Sequence, residues 1–263
     1  MAMSVIGMQS EVAIRVAVRD GMSYLASGYF TPPFKVANIT EDKLGPLQLM
    51  LMCSSPGVLD GDAQVIQVEL EANSRLQLHT QSYQRLFQMK GGASQSMEVR
   101  LQNGASFCWL PHPCVPHADS IFSGRNKVFL AAGCQLLWGE VLTCGRKLSG
   151  EVFALSAYHM RTEVFIHERL VLLENVYLRP SVLPVGALGQ MEGFTHQASL
   201  LWVKDGGVGE ARARVEKWLA GREEIVYGVS EGPASSLVIR MLGNKAELLY
   251  DNLKKVAELC MQS

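Results

Sequence analysis

A period-two alternation of apolar and polar side chains runs through most of the first two hundred residues, and it constrains the chain to a β structure. In residues 11–19, Val12, Ile14, Val16 and Val18 point one way, and Glu11, Ala13, Arg15, Ala17 and Arg19 the other. Period two is the pitch of a half-buried strand. The pattern returns in residues 65–70, 75–79, 96–101, 128–130, 135–138 and 162–167. Gly57, Gly61, Asn73, Gly91–Gly92, Asn103–Gly104, Gly124 and Gly133 punctuate the runs, at the spacing of roughly 8–12 residues usual in an all-β body. Small-residue corners at 71–76, 102–107 and 130–136 each precede a strand, with centres about 30 residues apart. One coil of a β-solenoid per period produces such a repeat, and so does a sandwich with regular hairpins. The expected fold is mainly β, with a β-helix or solenoid-like body.

The last sixty residues read differently. Residues 210–220 have helical spacing, with Ala211, Val215, Trp218 and Leu219 on one face and Gly221 as the stop. Strand-like runs at 224–229 and 236–242 follow. A final helix is expected over 244–262, with Asn244 as cap, Glu247 three residues on, and Leu249, Leu253, Val256 and Cys260 as an apolar stripe. The chain therefore divides into an all-β body (1–203) and a C-terminal α/β segment (204–263) packed on it, with two helices in the latter. The stripe reads most simply as a helix face packed on the body; the sharper alternative is a partner-binding face.

Composition narrows the function classes. Charged residues make up 19% of the 263, and the net charge is −1. No basic excess exists to neutralise phosphates, which argues against nucleic-acid binding. A hydrophobic share of 48% argues against disorder. No apolar run approaches the roughly 20 residues a bilayer requires, and the N-terminus lacks the basic and apolar regions of an export signal. Cys53, Cys108, Cys114, Cys134, Cys144 and Cys260 scatter without a C-x-x-C pair, so the expectation is a reduced, cytoplasmic protein.

Enzyme signatures are absent: there is no G-x-S-x-G, G-x-x-x-x-G-K-[ST] or H-E-x-x-H. Residues 55–62 look like a phosphate or calcium loop but lack its lysine or ligand periodicity. The plain reading is a tight turn with Gly57 and Gly61 at positive φ and Asp60 and Asp62 as loop carboxylates. His112, Cys114 and His117 lie within six residues among three prolines. Two imidazoles and a thiol suit nickel or zinc, although an extended chain puts His117 on the opposite side from the other two. His79 opens a dense polar run through Thr80, Gln81, Ser82, Tyr83, Gln84 and Arg85, either an exposed edge or the wall of a wet cavity. Glu140 stands alone in the apolar run 136–142 and needs Arg146 or a water-filled channel as its partner.

Several segments then resemble one family in order and spacing: Phe30-Thr31-Pro32-Pro33-Phe34-Lys35, Ser55-Pro56-Gly57 with Gly61-Asp62, Thr80-Gln81-Ser82, Trp109-Leu110-Pro111, Phe122-Ser123-Gly124, Trp138-Gly139-Glu140 with Gly145-Arg146, Gly228-Val229-Ser230, and Val238-Ile239-Arg240-Met241-Leu242-Gly243. Over roughly residues 28–259 the chain resembles the urease accessory proteins of the UreD (UreH) family. The resemblance implies no enzymatic activity and no permanently bound cofactor. It implies nickel in transit to apo-urease, with UreF, the GTPase UreG and the urease apoprotein as partners, and neither nucleic acid nor membrane. It also implies an internal polar passage, for which Asp60, Asp62, Thr80, Gln81, Ser82 and Glu140 are the candidates by position. Weak oxygen ligands suit the release of a hydrated cation better than thiolates do. The chain departs from the family at His112-Pro113-Cys114, where many relatives carry Gln-Glu-Thr, so the metal contact at this loop is open. Two other readings remain: a stand-alone nickel or zinc protein using His112, Cys114 and His117, and an enzyme using Asp60, Asp62 and Glu140 as acid and base.

Overall fold

The alternating segments build two sheets, and the chain crosses from one to the other almost strand by strand. The computed structural model describes residues 7–42, 44–204 and 207–261. In chain order the strands are β1 (Gln9–Arg19), β2 (Met22–Phe30), β3 (Phe34–Asn38), β4 (Leu47–Cys53), β5 (Ala63–Leu70), β6 (Arg75–Thr80), β7 (Gln84–Leu86), β8 (Ala93–Leu101), β9 (Ser106–Trp109) and β10 (Cys114–Pro116). They continue with β11 (Ile121–Leu130), β12 (Gln135–Thr143), β13 (Ala157–Ile166), β14 (Arg169–Leu178), β15 (His196–Lys204), β16 (Val226–Gly232) and β17 (Ser236–Gly243), with helices α1 (Gly209–Leu219) and α2 (Ala246–Met261). The first sheet runs β14-β13-β11-β8-β5-β1-β2. The second runs β16-β17-β15-β12-β9-β6-β4-β3, with β7 and β10 attached beside β12.

From β4 to β13 the long strands are parallel in both sheets: β5, β8, β11 and β13 in the first, β4, β6, β9 and β12 in the second. Equivalent residues meet in register, Leu70 beside Leu101 beside Leu130, and Leu76 beside Phe107 beside Leu136. The small-residue corners stack as well: Asn73 N–H donates to Asn103 O, and Gly104 N–H to Ala132 O. Both sheets are nonetheless open, with edges at β14 and β2 and at β16 and β3. The solenoid-like body expected from the repeat is thereby narrowed to a mainly β body of two open sheets. The thirty-residue repeat survives as parallel register.

The main core lies between the sheets. It joins Val12, Ile14, Ile66, Val68, Val99 and Val128 of the first to Leu49, Leu76, Leu78, Phe107 and Leu136 of the second. A bulge next to Arg15 and Val16 shifts the β1 register against β2, so Ala17 turns inward and Val18 is exposed, opposite to the plain alternation.

Helices α1 and α2 cover the outer face of β12, β15 and β17, forming a second core with Leu137, Val141, Trp202 and Ile239. Leu249, Leu253, Val256 and Cys260 are fully buried in it. The stripe is a packed face in this structure, as the simpler of the two readings expects. Gly139 of β12 permits the seating: a Cβ there would lie 2.5 Å from Leu110 Cδ2 and 3.0 Å from Leu253 Cδ2. Asn244 does not behave as a simple cap, because its side-chain oxygen accepts from Thr195 Oγ1. No helix among the described residues is long and apolar enough to cross a membrane.

Candidate functional site

On β11, β12 and β13 the inward phase is apolar at most levels and polar at one. On β12 the inward residues are Leu136, Trp138, Glu140 and Leu142; on β11 they are Phe122, Gly124, Asn126, Val128 and Leu130; on β13, Met160, Thr162 and Val164. Glu140, Asn126 and Thr162 thus sit between the main core, which includes Trp138, Val128 and Val164, and a smaller core with Leu142, Phe122 and Met160. Register extends the level across both sheets. Asn126 pairs with Thr162 and Thr162 with Glu174 in the first sheet; Glu140 pairs with Ser199 and Ser199 with Arg240 in the second.

The two rows are bonded to each other. Asn126 Nδ2 donates to Thr162 Oγ1 at 2.9 Å and reaches Glu140 Oε1 at 3.4 Å. Trp138 Nε1 donates to Glu140 Oε1 at 2.8 Å. At the far end Arg240 Nη2 donates to both carboxylate oxygens of Glu174, at 2.9 and 2.7 Å.

Two cavities flank Glu140. One, of about 140 Å³, is lined by Thr80, Gln81, Ser82, His112, Cys114, Asn126 and Glu140 among others. The second, of about 220 Å³, is lined by Trp138, Thr162, Glu174, Leu201 and Arg240. Glu140 and Ser199 line both. Each has room for several waters. Glu140 is enclosed by protein, and its residual exposure faces these cavities. Burial pushes its carboxyl up to about 7; the Trp138 hydrogen bond opposes the rise, the nearby charge of Glu174 adds to it, and a Thr162 hydrogen bond opposes it. Near neutrality the group can hold a proton or exchange it for a cation.

The positional candidates separate. Thr80, Gln81, Ser82 and Glu140 share the first cavity. Asp60 and Asp62 line neither cavity. Asp60 Oδ1 accepts from the amides of Gly91 and Gly92, and backbone bonding, led by Lys90, holds its carboxyl below the usual range. Asp62 accepts from Met8 N and Leu59 N. Both carboxylates build the turn, so no carboxylate pair is assembled with Glu140. Gly61 has positive φ as expected. Gly57 does not; its role is close approach, since a Cβ would meet Arg85 O.

The His-Cys-His loop also splits. His112 Nδ1 lies 3.1 Å from Thr80 Oγ1, its backbone N–H donates to the same oxygen, and its ring stands between Tyr83 and Tyr250. Burial lowers its pKa. Cys114 is buried on β10, and burial pushes its thiol far up, against thiolate chemistry. His117 packs edge-on against Phe87 and lines neither cavity. Among the described residues no group of three or more His, Cys, Asp or Glu side chains stands together to hold a metal ion.

Sequence reasoning passed over Asn126, Thr162, Glu174 and Ser199, and quoted Arg240 only as part of a motif. Their signal is a polar residue at the inward phase of an otherwise apolar strand, as with Thr162 between Met160 and Val164.

The model of the UreD urease accessory protein family matches residues 8–263. The urease accessory protein UreD of Flavobacterium johnsoniae is 46% identical over 242 residues, 90% of this chain and 87% of its own length. That of Acetivibrio thermocellus is 35% identical over 255 residues, 96% and 97% of the two chains. That of Actinobacillus pleuropneumoniae is 28% identical over 262 residues, again 96% and 97%. All three are named as accessory proteins. The match runs through both sheets, the helices and the polar row alike, and the chain belongs to the UreD urease accessory protein family.

Proposed function

We propose that this chain is a non-enzymatic scaffold and nickel conduit that works with UreF and UreG, in the cytoplasm, to deliver nickel to apo-urease. The observation that carries the reading is the polar row inside the β body, with Glu140 exposed to a cavity on either side. A buried polar layer costs stability relative to an apolar core, and here it offers carboxylate, hydroxyl and amide oxygens to a divalent cation. Such hard donors hold nickel less firmly than thiolate or several imidazoles, which suits cargo that must leave again. Glu140 is the central group: it takes the cation as it gives up its proton, while Trp138 Nε1 keeps the carboxylate oriented. Thr80, Gln81 and Ser82 lie at the other side of the first cavity, where a partially hydrated ion would enter or leave.

The test is the nickel content of urease purified from cells that carry the wild-type chain, no chain, or the Glu140→Leu variant. Loss of nickel in the last two, with the variant still bound to UreF, is the expected result. Normal nickel in urease made without this chain overturns the reading.

A further inference from the structure

Arg240 is the one Arg or Lys among the described residues lining the two cavities. A guanidinium does not deprotonate in proteins, so it is a fixed positive charge facing any cation that uses the second cavity. Its Nη2 engages both oxygens of Glu174 and so occupies the carboxylate that a cation would use. The two residues come from different sheets: Glu174 from the edge strand β14, Arg240 from β17 next to the other sheet's edge. They face each other at the open side of the sandwich and close it. The Arg240 side chain is 57% exposed and that of Glu174 25%, which places the pair at the mouth and leaves the arginine free to swing outward.

From this geometry we propose that the Arg240–Glu174 ion pair is a latch on the outer mouth of the second cavity, which keeps divalent cations out until Arg240 releases Glu174. The inference rests on the passage reading above. Half-exposed ion pairs are weak; they shift an equilibrium by only about two- to fivefold. That is too little for a bolt between sheets already joined by a large core, and suitable for a closure that must open. Release also leaves Glu174 free beside Glu140, two carboxylates whose mutual repulsion a divalent cation relieves.

The experiment follows the rate of nickel incorporation into urease by the complete complex of accessory proteins, with nickel ion as the probe. Arg240→Gln should load about two- to fivefold faster than wild type. The charge swap Glu174→Arg with Arg240→Glu should return the rate towards wild type. An unchanged or slower rate for a folded Arg240→Gln chain that still captures its partners overturns the latch. Should that variant not fold, Arg240→Met is read the same way, because it keeps an unbranched stem and removes the charge: faster loading supports the latch, equal or slower loading rejects it. Glu140→Leu, run in parallel, separates the two ideas. If it blocks loading while Arg240→Gln changes nothing, the passage stands and the latch falls; if it loads normally, the passage itself fails.

Discussion

Trp138 and Glu140 lie two residues apart on the same face of β12, and the indole Nε1 donates to the carboxylate Oε1 at 2.8 Å. Period two is what brings them together: one strand supplies both the last aromatic of the main core and the charge beyond it. The indole ring in turn contacts Trp109 and Phe107, so the donor is held by packing.

The first prediction tests that donor. A hydrogen bond to a charged group is worth about 1.5–3 kcal/mol, or roughly one to two pH units in the acceptor's titration. The Trp138→Phe variant removes the bond and keeps an aromatic. The carboxyl of Glu140, already raised to about 7 by burial, should rise further. If Glu140 carries nickel as proposed, transfer requires the deprotonated form, and its pH profile should move to higher pH by about that amount. The measurement is the rate of urease activation between pH 6 and 9; superimposable profiles would refute the assignment.

Stability should carry the same signature. The Glu140 carboxyl titrates near 7 when folded and near 4.5 otherwise. The folded chain therefore binds this proton more tightly. Glu140 is cost-free below the ordinary carboxylate pKa, becomes destabilising as pH rises towards 7, and its cost is constant above that. The full displacement amounts to about 3 kcal/mol at most, since the group meets cavity space. Urea unfolding at pH 5 and pH 8 should show this loss in the wild type and not in Glu140→Gln. Cys53, Tyr83, His112, Cys114, Tyr158, Glu174 and the Arg240 guanidinium are the other titratable or charged groups lining these two cavities. An equal pH dependence in both chains would show that one of these is responsible.

The C-terminal helix gives a contrasting expectation. Leu253 is fully buried against Gly139 and the second core. Leu253→Ala should destabilise the chain by about 2–5 kcal/mol. Substitutions on the outer face, such as Lys254→Ala, should leave melting unchanged. If Leu253→Ala melts like the wild type yet loses a partner, the stripe is a docking face after all.

How much of this was readable beforehand follows from the range of each signal. Alternation is local, and it located β5, β6, β8 and both sides of β12 within a few residues. The bulge beside Arg15 was not local, because it depends on how β2 pairs, and so Val18 was placed on the wrong face. Asp60 and Asp62 drew attention because they are charged and near glycines. Acceptors for loose backbone amides are common in such turns, and that is their role here. His112, Cys114 and His117 are adjacent in the chain, but strand geometry sends the third away from the cavity. The converse holds for Arg240 and Glu174: sixty-six residues separate them and only the packing of two sheets joins them.

The polar row should cost the fold something that function requires. Asn126 is buried and its amide is bonded to Thr162 Oγ1 at 2.9 Å, with Thr162 equally buried. Replacing one partner strands the other and is expected to destabilise by about 1–3 kcal/mol. Replacing both together, Asn126→Leu with Thr162→Val, leaves no unpaired donor between them and extends the aliphatic core from Val128 and Val164 towards Phe122. Glu140 loses both as partners and keeps Trp138 Nε1, so the double variant should melt above the temperature expected from the sum of the two single losses, while each single variant melts below the wild type. If the row carries cations past Glu140, the same double variant should deliver less nickel to urease, because hydroxyl and amide oxygens beside Glu140 have been exchanged for methyl groups. Thermal melts and urease nickel content measured on the three variants decide the matter. A folded double variant that loads urease fully would mean that the row is a structural layer and that nickel travels elsewhere.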